Sequence, residues 1–399
     1  MNRIELKASS VTDVLTLLKT EVEAHEASLL WTQMFSVLDF YKDKGIQKEN
    51  FYREFIKRLV ARFVGHIKNG INNDYLCPNY IEIFKQEVEN TVNLYINLDE
   101  QELKAKISHQ IIDLELAVIK QECRGASSYW NNYNNFSTLL FRGHGKKKQY
   151  KLEPSVFRGQ AHRESAYFRE MQRNEPDYFR NLTFFEKLAK MQHYRCPTRL
   201  LDVTSNPLIA LYFACSEKDE EKEGAELFVF VQPSTNLHLD SDLSVKVSSR
   251  LAMLSQDDTI KLNRYLTEVI NSDKIEFKLN NDNIYENNIV EKIYQDIKSE
   301  NYTQTRCLDP FMFLEPQFVS CANVSRRLKA QAGSFILPPL LSSNDQIDEM
   351  LKQMSLSIVI PEDEKENILK ELDRLGINEY TIYCDLESLS KTLKTRSFL

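Results

Sequence analysis

The sequence predicts a fold of the α+β or α/β type, in which helices flank a mixed sheet, together with an all-helical module near the N-terminus. Three observations lead to this fold class. Apolar residues recur at helical spacing through residues 25–125. Short apolar runs alternate with helical patterns through residues 136–395. Residues 183–216 contain, in order, the signals of a helix, a turn, a strand and a second helix.

Length and composition indicate the broad class of protein. The 399 residues suggest two or three domains, and 42% hydrophobic with 27% charged residues is normal for a soluble globular protein. No apolar run approaches the roughly 18 residues that a membrane span needs, and the N-terminus lacks the apolar segment of a signal peptide. Seven cysteines without a Cys-x-x-Cys pair favour a reduced protein without structural zinc. We therefore expect a cytoplasmic protein with no metal and no membrane partner.

The N-terminal third divides into two parts. Residues 1–24 are predicted to hold a strand and a helix that belong to the main domain. Residues 25–125 are predicted to form a helical module, in which Phe51, Phe55 and Leu59 belong to one helical stripe. The module shows no cluster of reactive side chains, so a structural or partner-binding role is favoured.

Residues 183–216 are the part of the chain richest in local structural signals. Thr183 and Glu186 form a Thr-x-x-Glu capping box that begins a helix. Asn206 followed by Pro207 predicts the start of the second helix, after a short strand. The junction between that strand and helix presents free backbone N–H groups, and such junctions commonly bind ligands in open α/β folds.

The remaining segments complete the predicted sheet. Residues 137–145 indicate a strand that runs into a glycine turn, which places Arg142 at a strand end. The apolar run 225–231 predicts a strand that is buried on both faces. Residues 240–305 are polar and predict an insertion in the main domain. At the C-terminus we expect a strand, a helix, a strand and a helix, with the second of these strands over residues 377–384.

The charge is unevenly distributed along the chain. The formal net charge is −7. Between Arg142 and Arg199 there are 14 Lys and Arg against six Asp and Glu, a net charge of +8. The rest of the chain therefore carries −15. A basic segment in an acidic protein points to a polyanionic partner, although a set of solvated helix faces is an equal alternative on charge alone.

Several familiar catalytic motifs are missing from the sequence. There is no Gly-x-Gly-x-x-Gly, no P-loop and no Gly-x-Ser-x-Gly, and only ten glycines occur in the chain. The seven histidines are too dispersed for His-Glu-x-x-His. Cys196 follows His193 closely, but a packed core thiol is favoured over a nucleophile.

What remains is a polar group led by arginines. Its members are Arg142, Arg158, His193, Tyr194, Arg199, Asp202, Thr204, Ser205, Asn206 and Gln331. Arginines bind phosphates through two parallel hydrogen bonds. His193 and Tyr194 could stack on an aromatic base, and residues 204–206 could bind a ribose. A dinucleotide such as NAD would satisfy these features together.

Each of these residues also has a structural interpretation. Arg199 and Asp202 could form a buried ion pair between strand and helix. Thr204 and Asn206 could serve only as helix caps. His193 could be a core histidine that is satisfied by its neighbours. The sequence leaves these alternatives open.

At these residues the sequence resembles the FRG domain family, which is named for its Phe-Arg-Gly motif. The motifs that carry the resemblance are, in chain order, Phe141-Arg142-Gly143, Leu152-Glu153-Pro154-Ser155, Phe157-Arg158, Gln192-His193-Tyr194, Pro197 to Asp202, Thr204, Asn206-Pro207, Ala210 to Ala214, and Gln331 with Gly333 and Phe335. The resemblance covers residues 136–395, and residues 3–20 would be the first strand and helix of the domain. Arg195 stands where the family usually has glycine, and Val203 where it usually has tryptophan.

The resemblance implies a fold and a set of site residues. The FRG domain is similar to ADP-ribosyltransferases of the Arg–Ser–Glu type, which implies an ADP-ribosyltransferase-like mixed sheet. In that arrangement Arg142 would grip NAD, and Thr204 with Ser205 would match the Ser/Thr-rich strand end. At the position of the late glutamate this chain offers Gln331, and the nearest upstream acid is Glu315.

Two functions follow as expectations. The first is an NAD-dependent ADP-ribosyltransferase acting as a toxin or effector in bacterial defence against phage or in a toxin–antitoxin pair. Its acceptor would be nucleic acid, with RNA favoured by the basic segment, or protein, and residues 25–125 would bind a neutralising antitoxin. The second is a non-catalytic module that senses a nucleotide or nucleic acid and binds a partner through its helices.

Overall fold

The fold is taken from a computed structural model. It describes residues 5–23, 137–147, 150–217, 223–233, 237–271, 287–298, 308–320, 325–340 and 344–395, with scattered single residues between 29 and 58. The helical module expected over residues 25–125 lies outside the described residues, apart from those single positions.

Within the described residues, eight strands form one mixed sheet. They are β1 (Glu5–Lys7), β2 (Ser137–His144), β3 (Leu201–Thr204), β4 (Ala225–Pro233), β5 (Leu237–Leu239), β6 (Gln317–Ser320), β7 (Gly333–Leu337) and β8 (Leu356–Ile360). Their order across the sheet is β1-β8-β4-β2-β3-β7-β6-β5. The pairs β1–β8 and β5–β6 are parallel, and the other neighbours are antiparallel. A mixed sheet with many helices agrees with the α+β class.

Helices cover the sheet. The α-helices are α1 (Val11–Leu17), α2 (Glu164–Asn174), α3 (Pro176–Phe179), α4 (Phe184–His193), α5 (Pro207–Ser216), α6 (Leu243–Arg250), α7 (Gln256–Ile270), α8 (Asn287–Lys298), α9 (Arg326–Ala330), α10 (Asn344–Gln353), α11 (Lys365–Arg374), α12 (Glu379–Tyr383) and α13 (Leu386–Thr395). A π-helical turn spans Leu18–Glu23, and short 3₁₀ turns span Ser155–Phe157, Ala161–Arg163, Leu251–Met253, Pro310–Phe313 and Glu362–Glu364. No helix in the described ranges is both long enough and apolar enough to cross a membrane.

The sheet is built around β2 and β4. Every residue of β4 from Leu227 to Val231 is fully buried, as its continuous apolar pattern predicts. The N-terminal strand β1 pairs with β8 near the other end of the chain, so these distant segments share one sheet. A second apolar cluster packs α2 and α4 against β7, through side chains such as Phe168, Leu188 and Phe335.

The segment 240–305, expected as a polar insertion, contains packed helices where it is described. α6, α7 and α8 contribute Val247, Leu266, Val290 and other side chains to the main core. Residues 272–286 and 299–307 lie outside the described residues.

One predicted strand is wrong. A strand is expected over residues 377–384, but α12 occupies most of this segment. The Asn378 side chain accepts a hydrogen bond from the N–H of Thr381, and the Thr381 hydroxyl accepts one from the N–H of Asn378. This reciprocal cap begins a helix, and the left-handed backbone of Cys384 ends it, so local capping decides the structure of this segment.

Candidate functional site

A cleft of about 610 Å³ opens beside the ends of β2, β3 and β7. Its charged lining residues are Arg142, Arg158, Arg195, Arg327, Lys391, Asp202, Glu217, Glu379, Asp385 and Glu387, with His144 and His193 beside them. Thr204 and Gln331 also line it. A volume between roughly 300 and 1,000 Å³ is typical of small-molecule and cofactor sites, so the cleft is large enough for a dinucleotide.

Gly143 explains why β2 and α5 lie so close together. A Cβ atom at Gly143 would lie 2.0 Å from the carbonyl oxygen of Ala210 and 2.6 Å from the backbone nitrogen of Ala214. Only glycine allows this approach. Because side chains alternate along a strand, Arg142 points to the sheet face opposite Gly143. The Phe-Arg-Gly motif therefore supplies both the packing site for α5 and a guanidinium for the cleft.

Arg142 is the best-positioned cation in the cleft. Its Nε donates to Nε2 of His144 at 3.0 Å, and its Nη1 donates to the backbone oxygen of Asp202 at 2.5 Å. Its Nη2 has no hydrogen-bond partner among the described residues. Burial lowers the pKa of Arg142 to about 10, the Asp202 carboxylate acts in the opposite direction, and Arg158 adds to the lowering. The side chain is therefore a cation at neutral pH with donors still free for a ligand.

The Gln-His-Tyr motif orients the carboxylate of Asp202. Nε2 of Gln192 donates to Oδ2 of Asp202 at 2.7 Å. The hydroxyl of the fully buried Thr198 donates to Oε1 of Gln192. Gln192 thereby links the end of α4, the following turn and β3. The motif holds one wall of the cleft in a fixed arrangement.

Thr204, Asn206 and Gln331 lie where β3 ends. The Thr204 hydroxyl donates to the backbone oxygen of Gln331 at 2.7 Å and accepts from the N–H of Asn206 at 3.0 Å. Oδ1 of Asn206 accepts from the N–H of Leu208 and caps α5, which confirms the predicted helix start. Both side chains thus have structural partners, whereas Nε2 of Gln331 is buried at the cleft with no hydrogen-bond partner. Ser205 is exposed and is not a lining residue.

Arg199 lies outside the cleft. Its Nη2 is 2.6 Å from Oε2 of Glu164, and both side chains are buried. The ion pair that the sequence left open between Arg199 and Asp202 therefore has a different acid, Glu164 from the start of α2. The guanidinium of Arg199 is used in the core and has no access to a pyrophosphate in the cleft.

Glu315, the acid suggested upstream of Gln331, does not reach the cleft either. It is 5% exposed and follows the 3₁₀ turn before β6. Burial raises the pKa of Tyr41 well above its usual value, and the nearby Glu315 raises it further. Tyr41 also donates to the backbone oxygen of Leu314. Glu315 thus lies among buried groups that are distinct from the lining of the cleft.

The turn after α4 brings three further side chains to the rim. His193 lines the cleft, and burial, then Arg327 and Lys190, lower its pKa, so its imidazole is neutral at pH 7. Tyr194 is 55% exposed and is not a lining residue. Arg195 has a φ of 64°, in the left-handed region that favours glycine. This backbone explains the glycine expected there, and the substitution places a guanidinium on the cleft instead.

Four lining carboxylates were not singled out from the sequence: Glu217, Glu379, Asp385 and Glu387. Glu217 accepts from the Tyr150 hydroxyl. Oδ1 of Asp385 accepts from the N–H of Ser388, and this hydrogen bond lowers the pKa of Asp385. Lys391 lies 3.2 Å from Glu379 and 3.0 Å from Glu387. Glu217 could have been found from the sequence, because it directly follows the predicted helix α5. Glu379 could not, because its segment was expected to be a strand of the sheet.

The cleft therefore brings cationic and anionic side chains together. The arginines of β2, of the residues after it and of the turn after α4 can bind phosphates. The carboxylates of α12 and α13, two of which pair with Lys391, can stabilise a developing positive charge. Burial first, then Glu164, raise the pKa of the Cys196 thiol, so that group is protonated at neutral pH. In the part of the chain that is described, no group of three or more His, Cys, Asp or Glu is arranged to hold a metal ion.

Comparison with known proteins gives one match. No curated protein and no solved structure matches the chain. The family model of the FRG domain matches residues 137–223. The matched segment begins with β2, contains Arg142, the Gln-His-Tyr motif and α5, and ends just before β4. The chain thus contains an FRG domain, and that domain supplies Arg142, Arg158, His193, Asp202 and Thr204 to the cleft.

Proposed function

We propose that the cleft binds NAD and that the protein transfers the ADP-ribose group of NAD to an acceptor, as a toxin or defence effector. One observation carries this proposal: Arg142 and several carboxylates line the same cleft, and Arg142 still has N–H donors free for a ligand. NAD needs both kinds of group, because its pyrophosphate is anionic and its nicotinamide ribose becomes cationic when the glycosidic bond breaks.

Arg142 is the residue proposed to hold the pyrophosphate. Two hydrogen bonds to protein atoms fix its guanidinium, so little side-chain entropy is lost when a phosphate binds. Arg158 is exposed and lies near enough to Arg142 to lower the pKa of Arg142. Together they offer the phosphates two cations, one rigid and one adaptable. The unpartnered Nε2 of Gln331 adds a neutral donor for a ribose or amide oxygen.

Glu379 is the carboxylate proposed to act on the ribose. Glu217 is already bound by Tyr150, Asp385 caps α13, and Glu387 has a side chain that is 79% exposed. Glu379 is 33% exposed, and the ion-pair partner that the structure gives it, Lys391, is itself 54% exposed. That lysine can turn to solvent when a ligand enters.

The reaction balances without any further reagent. The bond between C1′ of the ribose and the nicotinamide nitrogen breaks, and nicotinamide leaves with the electron pair. The carboxylate of Glu379 stabilises the positive charge that develops on the ribose. A nucleophilic atom of the acceptor forms the new bond to C1′ and releases a proton, which the carboxylate accepts.

The test compares wild type with Arg142→Lys and Glu379→Gln, and uses Arg173→Lys, an exposed residue of α2, as the matched control. Calorimetry measures NAD binding, and labelled NAD with RNA and protein acceptors measures nicotinamide release and label transfer. We expect Arg142→Lys to weaken binding, and Glu379→Gln to bind NAD but turn over roughly 10²- to 10³-fold more slowly. Turnover that is absent from wild type, or unchanged by Glu379→Gln, rejects the catalytic role proposed for Glu379.

A non-catalytic nucleotide sensor is the second candidate, and Gln331 at the position of the late glutamate favours it. An amide can bind a nucleotide but does not stabilise a cation as a carboxylate does. NAD binding to wild type without nicotinamide release would support this function. Partner binding through residues 25–125 remains part of both proposals, and a growth assay with and without a co-expressed neighbouring gene product tests it.

A further inference from the structure

Three aromatic rings form a row that leads away from the cleft. Tyr178 is 52% exposed and Tyr194 is 55% exposed. Their ring centroids are 6.2 Å apart, and the ring of Tyr194 lies 5.1 Å from that of His193. His193 lines the cleft. We call Tyr178, His193 and Tyr194 the aromatic row.

The aromatic row makes little contribution to the core. The neighbouring Phe179 and Phe185 are 4% and 1% exposed and fill the second apolar cluster, whereas both tyrosines keep about half of their surface in water. Large exposed aromatic side chains that lie together commonly mark a binding surface. Here they are also held in place. Lys190 donates to the backbone oxygen of Tyr178, and its ammonium lies 5.4 Å from the centre of the Tyr178 ring.

Two cations flank the aromatic row. Lys190 lies in the last turn of α4 and Arg195 in the turn that follows it. Arg180, two residues after Tyr178, is paired with Asp177 at 2.7 Å. Arg195 is exposed and keeps its left-handed backbone. After burial, Arg327 and then Lys190 lower the pKa of His193, so positive charge lies near the end of the row at the cleft.

We propose that the aromatic row stacks on the bases of a single-stranded nucleic acid, while Lys190 and Arg195 bind its phosphates, and that this strand is the acceptor for the cleft. The second half of this proposal rests on the proposed ADP-ribosyl transfer. Stacking needs exposed ring surface beside cations, and Tyr178 and Tyr194 supply such surface. Their ring planes meet edge to face at 87°, and Lys190 lies over the Tyr178 ring, so each tyrosine would stack on its own base with the ring surface that stays exposed. In a duplex the base faces are covered, so a duplex cannot use these rings.

The row also gives the strand a direction. His193 is shared by the row and the cleft, so a base stacked on Tyr194 brings the next nucleotide to the cleft. The aromatic row lies inside the basic segment between Arg142 and Arg199, which has a net charge of +8. The proposal therefore assigns part of this segment a specific contact with the nucleic acid.

The test measures binding of labelled single-stranded RNA by fluorescence anisotropy, without NAD, as a function of salt. Single-stranded DNA of the same sequence and the corresponding RNA duplex are measured beside it. The variants are Tyr178→Ala, Tyr178→Phe and Tyr194→Ala. The control is Ile260→Ala, because Ile260 is also 52% exposed but lies on α7, away from the cleft lining. Denaturant midpoints verify that each variant folds.

We expect each Tyr→Ala change to weaken single-strand binding by roughly 5- to 150-fold, the range that stacking of one base provides. Tyr178→Phe keeps the ring and should bind like wild type, and the duplex should bind more weakly than either single strand. Equal binding of duplex and single strand, or a Tyr178→Ala variant that matches Ile260→Ala, overturns the proposal. Binding of NAD to Tyr178→Ala should equal that of wild type. Because the RNA measurement contains no NAD, failure of the row and failure of ADP-ribosyl transfer give separate results.

Discussion

Arg199 and Glu164 form a buried, multiply bonded salt bridge that joins the turn before β3 to the first residue of α2. Nη2 of Arg199 lies 2.6 Å from Oε2 of Glu164, and Nε lies 3.1 Å from both carboxylate oxygens. The backbone N–H of Arg199 donates to Oε1 of the same glutamate at 2.9 Å. The carboxylate of Glu164 thus accepts hydrogen bonds from both the guanidinium and the backbone N–H of Arg199, the arginine of the Pro-Thr-Arg motif.

Glu164→Gln should strongly destabilise the protein. The substitution leaves the Arg199 charge buried without a counter-ion, which costs about 3–5 kcal/mol in comparable buried pairs. The matched control is Glu170→Gln, because Glu170 pairs with Arg173 at 2.7 Å on the exposed surface of α2. Exposed pairs contribute about 0–1 kcal/mol. Urea unfolding measures both, and equal losses in the two variants would show that burial does not decide the effect.

Gly143→Ala should prevent β2 and α5 from packing. The added methyl would lie 2.0 Å from the carbonyl oxygen of Ala210, and neither backbone can move without separating the helix from the sheet. We expect loss of the folded state or a decrease in unfolding free energy well beyond the roughly 1–3 kcal/mol typical of overpacking.

Gly159→Ala is the control for the glycine prediction. Gly159 has a φ of +80°, but no atom lies within 4 Å of the position that an added methyl group would take. Its substitution therefore adds only backbone strain of about 1–2 kcal/mol. Circular dichroism and thermal unfolding compare the two. A Gly143→Ala variant as stable as Gly159→Ala would contradict the close approach of β2 and α5.

Arg195→Gly should stabilise the fold and weaken anion binding. Glycine adopts a φ of 64° without the cost of about 1 kcal/mol that a side chain adds, while the cleft loses one of its guanidiniums. Asn181→Gly is the control, since Asn181 has a φ of 61° but is not a lining residue. Unfolding curves should move in the same direction for both variants. Binding of single-stranded RNA should weaken only for Arg195→Gly, and an equal response of the two variants in the binding assay would argue against a role for Arg195.

Local signals in the sequence predicted local structure correctly. The Thr183–Glu186 capping box is present with both of its hydrogen bonds, and Asn206 caps α5 as expected. Each of these features depends on residues within one helical turn, so a short pattern contains the whole interaction. The resemblance to the FRG domain could also be recognised from the sequence, because the matching residues lie in one continuous segment, 137–223.

Long-range partners could not be read in this way. Glu164 is 35 residues before Arg199, and nothing in either segment identifies the other. Glu379 reaches the cleft of Arg142 from near the far end of the chain, on a short helix where a strand was expected. The sequence could therefore identify Arg142 and Arg158, which lie in one segment, whereas Arg327, Lys391 and Glu379 come to the cleft only through the packing of distant segments.

The protonation of His193 should make stability depend on pH. Burial, then Arg327 and Lys190, lower the pKa of His193 in the folded protein below its ordinary value of 6.5. As pH falls below about 6.5, the unfolded chain binds a proton at this imidazole while the folded protein does not. The free energy of unfolding therefore decreases with falling pH until the folded-state pKa is reached, and the contribution of the neutral imidazole is fully present above about pH 6.5.

His193→Gln removes this titration. Urea unfolding of wild type and His193→Gln at a series of pH values between about 5 and 8 measures the effect. The other titrating groups are common to both proteins, so the difference between the two curves isolates His193. We expect that difference to be constant at about pH 7 and above, and to change in favour of the variant as the pH falls below about 6.5. Parallel curves throughout this range would mean that neither burial nor the charges of Arg327 and Lys190 lower the pKa of the imidazole.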